Sequence, residues 1–539
     1  MEELEGPTFE NGIWKGVERP PMPDWPRFRT ILLERLNKYP FRVSQIDAVT
    51  GHKELYGDTA DKITSCAVWL KKQNVQPGDI ISICSYNNLN AVVPVIASLL
   101  VGALPNPWWD VNLTNDMIRY FLSSAKPKII FSDERKCKQI KEVMDETGGC
   151  ITIVCLNDAL GFECLSHIIE TQESDELLKF KCEDLQDLKE PALLLPTSGT
   201  TGYPKCAVIP YGWLMSKFLK MSETPEIILA PAGISWATGL MTAVVSIESC
   251  STLLIHPGPN EDIIMELIEK YKVKRVTCLN TAYIIRIWKN QNRKTYDLSS
   301  LEYIMLGGST LPPGADEFAV EFFKNIQVKH GYGCTELYGL TLRPEWTRKP
   351  GSCGRVLHNL QLKIIDVNTG EILGPNQEGE LYAKYPYRMI EYLNNPEATK
   401  SAFDDEGWFR TGDLAYYDDD GEFFVVDRLK ELIKFRIVFH IAPIVIEKVI
   451  LSNPGVLEAA VIARPHLEDT EQPMAFISLH SAAKVTKQDI IDLVAKTLPD
   501  HMQLRGGVVI LDKLPYTNSG KIAKLELKRM MKSLIESDK

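Results

Sequence analysis

The chain has 539 residues, of which 45% are hydrophobic and 24% are charged. This length calls for more than one folding unit, and this composition is typical of a soluble globular protein. The net charge of −11, from 60 basic and 71 acidic residues, excludes nucleic acid as the default partner. The twelve cysteines form no Cys-x-x-Cys pair, so neither a zinc site nor a disulfide framework is predicted.

The sequence shows no membrane anchor and no targeting signal. Its longest apolar stretch, residues 91–105, contains Pro94 and is shorter than the roughly 18 residues that a membrane span requires, so it is predicted to be a core helix. The N-terminus is acidic and polar rather than signal-peptide-like, and the C-terminus lacks a Ser-Lys-Leu peroxisomal signal. We expect a cytoplasmic monomer that acts on a small molecule.

Amphipathic helices alternate with apolar strands through most of the first 343 residues. The predicted strands are residues 79–84, 128–131 and 152–155 in a first unit, and 226–230, 252–255 and 303–306 in a second. This alternation predicts two doubly wound, mostly parallel sheets.

Shorter strands and frequent turns from about residue 349 to 426 predict a β-barrel-like subdomain. Beyond Asp427 the composition changes to a compact α+β tail, in which Thr486 begins a predicted capping box. The expected fold class is therefore α/β. It has a large N-terminal domain (1–426) of two doubly wound sheets plus the barrel-like part, and a small mobile α+β C-terminal domain (427–539).

The most informative stretch is Leu-Pro-Thr-Ser-Gly-Thr-Thr-Gly-Tyr-Pro-Lys at residues 195–205. Hydroxyls and the backbone N–H groups of a glycine-rich turn can wrap phosphate oxygens, and Lys205 adds a positive charge. Apolar residues on both sides predict a loop between two buried strands. The spacing is not that of a P-loop, and the alternative is a polar surface turn.

Three further stretches carry potential chemistry, each with a plain structural alternative. In residues 331–336, Gly-Tyr-Gly-Cys-Thr-Glu, a tyrosine could pack on a base and Glu336 could bind Mg²⁺, or the stretch could be a simple strand-end turn. Asp413 follows a tight turn and could hold a ribose through two hydroxyls, or be a turn aspartate. Lys521 lies in a polar loop, where most lysines are merely solvated.

Taken together and in this order, these stretches resemble the adenylate-forming superfamily of acyl-CoA synthetases, adenylation domains and firefly-type luciferases. The resemblance covers nearly the whole chain, and the amino-acid sequences of residues 427–434 and 504–509 are similar to those of the insect luciferase branch. It implies ATP and Mg²⁺ as cofactors, a small carboxylic acid as substrate, and a rotating C-terminal domain.

The resemblance also implies a role for each matching residue. ATP phosphates would be bound by Thr197, Ser198, Gly199, Thr200, Thr201, Gly202, Lys205 and Thr335, and Mg²⁺ by Glu336. Adenine and ribose would be held by His330, Gly331, Tyr332, Asp413 and Arg428. The acid would be bound by Trp236, Gly307, Gly308, Ser309 and Gly339. Asp427 would be the hinge, Lys521 would serve adenylation, and Lys434 would serve the second half-reaction.

Two departures from the family pattern concern the fate of the acyl-AMP. After Lys434 the usual glycine is missing, and Ile437-Val438 stands in a hairpin that lines the CoA channel in CoA ligases. Trp236 and Gly339 also differ from the acid pocket of firefly luciferase.

The sequence therefore favours a luciferase that uses O₂ and acts on a luciferin different from the beetle one. The alternatives are an acyl-CoA or 4-coumarate-CoA-type ligase that uses CoA, and a nucleotide-binding pseudoenzyme.

Overall fold

The computed structural model describes residues 6–109, 113–197, 203–215, 226–290, 292–308, 313–342, 349–436, 439–481, 483–516 and 521–537. Among these residues, no helix is both long and apolar enough to cross a membrane.

The first part of the chain contains helices and short strands, and the two alternate from about residue 61 onwards, as predicted. Its elements are β1 (Thr8–Glu10), β2 (Ile13–Lys15), α1 (Phe28–Lys38), β3 (Val43–Asp47), β4 (Lys53–Leu55), α2 (Tyr56–Lys72), β5 (Ile80–Cys84), α3 (Val92–Val101), β6 (Leu104–Pro107), α4 (Asn115–Ala125), β7 (Ile129–Ser132), α5 (Glu134–Glu146), β8 (Thr152–Cys155), β9 (Glu163–Cys164), α6 (Leu165–Glu170) and α7 (Ser174–Lys179).

The middle of the chain continues this alternation. Its elements are β10 (Pro191–Thr197), β11 (Lys205–Pro210), α8 (Tyr211–Met215), β12 (Ile227–Leu229), α9 (Ala237–Glu248), β13 (Thr252–Ile255), α10 (Glu261–Tyr271), β14 (Arg275–Asn280), α11 (Thr281–Lys289), β15 (Tyr303–Gly307), α12 (Pro313–Phe322), β16 (Gln327–Cys334), β17 (Tyr338–Leu342) and β18 (Arg355–Val356).

The last part begins with antiparallel strands and ends in a smaller α+β unit. Its elements are β19 (Gln361–Ile365), β20 (Gly379–Lys384), α13 (Pro396–Ala402), β21 (Phe409–Tyr417), β22 (Phe423–Arg428), β23 (Ile433–Phe435), β24 (Phe439–Ile441), α14 (Pro443–Leu451), β25 (Val456–His466), β26 (Thr470–Leu479), α15 (Lys487–Thr497), β27 (Val508–Leu511) and α16 (Lys524–Ser537).

Two sheets form the body of the large domain and confirm the predicted α/β class. One has five parallel strands in the order β6-β5-β7-β8-β9, and the other has nine strands in the order β18-β17-β16-β15-β14-β12-β13-β3-β4, parallel from β16 to β3. Helix α3 is buried along its whole length, as expected for a core helix. The carboxyl ends of β14, β15 and β16 therefore meet at one edge of the large sheet, where ligands bind in folds of this type.

A third, antiparallel sheet has the order β1-β2-β19-β20-β21-β22. It contains β19 to β22 of the segment predicted to be barrel-like, and β1 and β2 extend the β19 edge, whereas β18 belongs to the nine-stranded sheet. The sequence did not predict β1 and β2, because they are three residues each and join the sheet only through the pairing of β2 with β19, more than 300 residues away.

The C-terminal unit has its own sheet, in the order β24-β23-β26-β25 with β27 parallel to β26, and its own apolar cores. The capping box at Thr486 is present and begins α15, as predicted. The chain passes from the third sheet into this unit directly after β22, which ends at Arg428. A boundary at Asp427 stays a prediction.

Candidate active site

A cleft of about 2530 Å³ lies between the carboxyl edge of the nine-stranded sheet, the third sheet and the C-terminal unit. Most of the residues selected from the sequence line it. They are Thr197, Trp236, Gly307, Gly308, His330, Gly331, Tyr332, Thr335, Glu336, Gly339, Asp413, Asp427, Arg428 and Lys521. Residues more than 300 positions apart thus meet in one cleft.

The predicted phosphate loop lies between two antiparallel buried strands, as expected. β10 pairs with β11, and the last pair of the register is Thr197 with Lys205. The two strands that flank the predicted loop therefore end at this pair. Residues Ser198, Gly199, Thr200, Thr201 and Gly202 lie outside the described residues, so their predicted contacts stay predictions.

A tyrosine that the sequence analysis missed connects the loop lysine to Glu336. The Tyr392 hydroxyl donates a hydrogen bond of 2.6 Å to Glu336 Oε1, and Lys205 Nζ lies 4.6 Å from the centroid of the Tyr392 ring. Burial, followed by the Glu336 carboxylate, raises the pKa of the Tyr392 phenol above its usual range. The tyrosine therefore remains a hydrogen-bond donor. No local pattern around residue 392 signals this contact.

Glu336 has the features expected of a magnesium ligand. Its carboxylate is buried, with 9% of the residue exposed, but the residue lines the cleft. The described part of the chain contains no group of three His, Cys, Asp or Glu side chains arranged for a metal. Mg²⁺ is commonly held by one or two carboxylates together with substrate phosphates and water. The single carboxylate fits that mode of binding.

Asp413 is held from two sides at the junction of β21 and β22. One carboxylate oxygen accepts a hydrogen bond of 2.5 Å from the Tyr332 hydroxyl, and the other lies 2.9 Å from Arg428 Nε. The preceding Gly412 adopts a φ of +69°, which a glycine tolerates without strain. Burial, followed by the Asp413 charge, raises the pKa of Tyr332 well above its usual range. The pair Asp413 and Arg428 thus presents fixed polar groups to the cleft.

Lys521 reaches from the C-terminal unit across to the edge of the large sheet. Gly308 has a φ of +98°, and a Cβ added to it would lie 3.9 Å from Lys521 Cε and 3.4 Å from Asn280 Nδ2. Lys521 is an exposed residue that lines the cleft. Desolvation, followed by the Arg428 charge, lowers the pKa of Lys521 to about 8, while Asp413 acts in the opposite direction.

Lys434 is not part of this cleft. It lies on β23, is exposed, and its backbone N–H donates to Glu471 Oε2 at 2.7 Å. The next turn is fixed by Arg436, whose Nε lies 2.7 Å from Asp469 Oδ1. The Ile437-Val438 pair lies outside the described residues.

The predicted acid-binding side of the cleft contains an aromatic pair. Trp236, directly before α9, stacks on Trp109 with ring centroids 5.7 Å apart and an interplanar angle of 20°. The sequence analysis did not select Trp109, although it follows β6 at a carboxyl strand end where such residues are expected. Ser309 lies outside the described residues.

Asp427 connects the large and the C-terminal units through hydrogen bonds. Its carboxylate accepts from the backbone N–H groups of Arg428 at 2.7 Å and of Ile444 at 3.3 Å. A second contact between the units joins Arg286 on α11 to the ring of Tyr516, with the guanidinium carbon 5.0 Å from the ring centroid. A hinge at Asp427 stays a prediction.

Comparison with known proteins identifies the family of this chain. Residues 32–393 match the AMP-binding enzyme family and residues 445–521 match the AMP-binding enzyme C-terminal domain. The chain is 32% identical over 505 residues to a luciferin 4-monooxygenase of Photuris pensylvanica, covering 90% of this chain and 92% of that protein. It is 28% identical over 528 residues to 4-coumarate-CoA ligase 1 of Narcissus pseudonarcissus, covering 94% of both chains.

A solved structure extends the similarity to three dimensions. The luciferase-like enzyme of the nonluminescent mealworm Zophobas morio matches with a TM-score of 0.71 and 29% identity, covering 78% of this chain and 99% of that one. The two family matches correspond to a large N-terminal part and a separate C-terminal part of the chain. The protein is a member of the AMP-binding, adenylate-forming enzyme family.

Proposed function

We propose that this protein uses ATP to convert a carboxylic acid to an acyl-AMP. The observation that carries the proposal is the position of Lys521 against Gly308, in the same cleft as Glu336 and Asp413. In this reaction a carboxylate oxygen attacks the α-phosphorus and pyrophosphate leaves. Negative charge develops on phosphate oxygens, so positioned cations and hydrogen-bond donors are the groups the reaction requires.

Different residues of the cleft would bind different parts of ATP. Asp413 would accept the ribose hydroxyls while Arg428 and Tyr332 hold the carboxylate in place. Lys205 and the hydroxyls of residues 197–201 would contact the β- and γ-phosphates, and Lys521 would bridge the attacking carboxylate and the α-phosphate. Glu336 would hold Mg²⁺, which neutralises phosphate charge when bound.

We further propose that the acyl-AMP is oxidised by O₂ with emission of light. Loss of a proton from the carbon beside the activated carbonyl would leave an electron pair that reduces O₂ to a peroxide on that carbon, and the peroxide oxygen would then displace AMP from the carbonyl. The support is the 32% identity to the Photuris luciferin 4-monooxygenase and the missing glycine in the hairpin after Lys434. Trp236 and Gly339 differ from the residues at these positions in the acid pocket of firefly luciferase, which favours a luciferin unlike that of beetles.

CoA-thioester formation is the second candidate. Lys434 is exposed on β23 and does not line the cleft, so it would reach the acyl-AMP only after a rotation of the C-terminal unit, and it would serve either second half-reaction. The Narcissus ligase is nearly as similar as the luciferase, and the Zophobas enzyme is luciferase-like in a nonluminescent animal. A catalytically inactive nucleotide-binding role is disfavoured, because Lys205, Glu336, Asp413 and Lys521 are all retained.

A paired assay tests the proposal. Purified protein is incubated with ATP, Mg²⁺ and a panel of carboxylic acids including tissue extract, and pyrophosphate release, photon output and acyl-CoA are measured together. If no acid in the panel leads to pyrophosphate release, the proposed adenylation is contradicted. Light that requires ATP and O₂ and not CoA supports the oxidation step. Thioester without light supports the ligase, and an Ile437→Gly variant should increase thioester only if the hairpin obstructs CoA.

A further inference from the structure

Helix α4 lies against the chain segment that follows the predicted phosphate loop, and one of its tyrosines makes two contacts with that segment. The Tyr120 hydroxyl donates a hydrogen bond of 2.7 Å to the carbonyl oxygen of Pro204. The ring of Tyr120 also stacks on the ring of Tyr203, with centroids 4.7 Å apart and an interplanar angle of 11°. Tyr203 and Pro204 both line the cleft. We call these three residues the tyrosine clasp.

The tyrosine clasp holds the chain at the point where the strand pairing ends. The last pair between β10 and β11 is Thr197 with Lys205, so Tyr203 and Pro204 lie beyond the paired strands. Proline fixes its own φ and restricts the conformation of the residue before it. The carbonyl group that accepts from Tyr120 belongs to the planar peptide that also carries the N–H of Lys205. Tyr120 therefore fixes the orientation in which the chain enters Lys205.

The helix that carries Tyr120 is anchored in an apolar core. Phe121, the next residue of α4, is buried and stacks on Trp108 with ring centroids 5.1 Å apart. Burial, followed by the nearby Cys206 thiol, raises the pKa of the Tyr120 phenol. The phenol therefore stays protonated at neutral pH and keeps donating. A protonated donor on an anchored helix is suited to holding the segment before Lys205 in one position.

Residues 392–394 complete the support of the start of β11. Lys205 Nζ lies 4.6 Å from the centroid of the Tyr392 ring. Two positions later, Asn394 donates through Nδ2 to the carbonyl oxygen of Ser124 on α4 at 2.8 Å. Helix α4 and this segment are therefore connected to each other, and both contact the stretch that contains Lys205.

We propose that Tyr120 is a positioning residue for ATP, which holds Lys205 where it can bind the β- and γ-phosphates. The inference rests on the proposed adenylation, since it uses the assignment of Lys205 to these phosphates. When a binding-competent arrangement is only partly populated, the apparent affinity falls in proportion to that population. Loss of the tyrosine clasp should therefore weaken the binding of ATP but not that of AMP, which lacks both of these phosphates.

Two substitutions of Tyr120 test the proposal. Binding of MgATP and of AMP to the purified protein is measured by isothermal titration calorimetry without an acid. Tyr120→Phe removes only the hydroxyl and should raise the Kd of MgATP about two- to tenfold, the usual contribution of one hydrogen bond. Tyr120→Leu also removes the stacked ring and should raise it by a further factor of about two to ten. The Kd of AMP should stay unchanged in both variants. An equal rise for the two nucleotides, or an unchanged Kd of MgATP, would overturn the proposal.

Tyr417→Phe is the matched control. Tyr417 also donates to a backbone carbonyl oxygen, that of Leu373 at 3.2 Å, and packs on the ring of Phe423 with centroids 5.7 Å apart. It lies on β21 in the third sheet, and it is not one of the described residues that line the cleft. Its substitution should leave both dissociation constants unchanged. If Tyr417→Phe weakened MgATP alone, the proposal would be overturned, because the effect would then not be specific to the tyrosine clasp.

A double variant tests whether Tyr120 acts through Lys205. In a Lys205→Met background, Tyr120→Phe should no longer change the Kd of MgATP, because the group that it positions is absent. An undiminished effect would overturn the assignment to Lys205. These measurements need no turnover. If MgATP binds but no acid supports pyrophosphate release, the proposed adenylation fails while the comparison of variants still decides the role of Tyr120. If the wild-type protein does not bind MgATP, both proposals fail.

Discussion

The lowered pKa of Lys521 predicts an unusual pH dependence for adenylation. With a pKa of about 8, Lys521 is roughly 90% protonated at pH 7 and roughly 10% protonated at pH 9. Only the protonated form can stabilise charge on the α-phosphate. The kcat/KM for pyrophosphate release, which reports ionisations of the free enzyme, should therefore fall about tenfold between pH 7 and 9. The kcat should fall at a higher pH, because bound phosphates favour the protonated lysine.

Two substitutions isolate this lysine. Lys521→Met should reduce kcat about 10²- to 10³-fold, the usual cost of removing one positioned donor. Lys521→Arg keeps the charge at all accessible pH values, so its activity, although reduced by altered geometry, should no longer decline between pH 7 and 9. The rates are measured by coupled detection of pyrophosphate over pH 6–10 at constant ionic strength. A decline near pH 8 that persists in Lys521→Arg, or a wild-type decline only near pH 10, would refute the reasoning.

Three further predictions concern other contacts. Tyr392→Phe removes the donor to the buried Glu336 carboxylate and should lower the free energy of unfolding by about 1.5–3 kcal/mol; urea denaturation measures this, and an unchanged midpoint would show that water replaces the hydroxyl. Gly308→Ala forces a side chain into a left-handed backbone conformation, at a cost of about 1–2 kcal/mol. It should also lower the rate of pyrophosphate release, and a variant that is less stable but equally active would contradict a role for Gly308 in the site. Lys434→Ala should leave ATP–pyrophosphate exchange intact but reduce light or thioester about tenfold or more, and a parallel loss of exchange would contradict its location outside the cleft.

Local patterns predicted much of the fold and of the site. The apolar runs beside Thr197 and Lys205 predict two buried strands, and the structure confirms both, while their antiparallel pairing was not predicted. The helix–strand alternation similarly predicts the parallel sheets. These features depend on residues close together in sequence.

The missed features depend on contacts between distant parts of the chain. Tyr392 contacts Glu336 across 56 positions, and Trp109 stacks on Trp236 from a different part of the chain. Trp109 is recognisable only as an aromatic residue after a strand. Pairings of this kind are set by how the sheets and helices pack, and a single sequence does not contain that information directly.

The contact between Arg286 and Tyr516 affects the relative populations of the possible arrangements of the C-terminal domain. Lys521 and Lys434 belong to one folded C-terminal domain, so under the proposed function only one of them can occupy the cleft at a given moment. A cation–π contact stabilises the observed arrangement by about 0.5–2 kcal/mol, which corresponds to a population ratio of roughly two- to thirty-fold. The resting enzyme would therefore be biased towards accepting ATP and acid, but not so strongly that the second step becomes inaccessible.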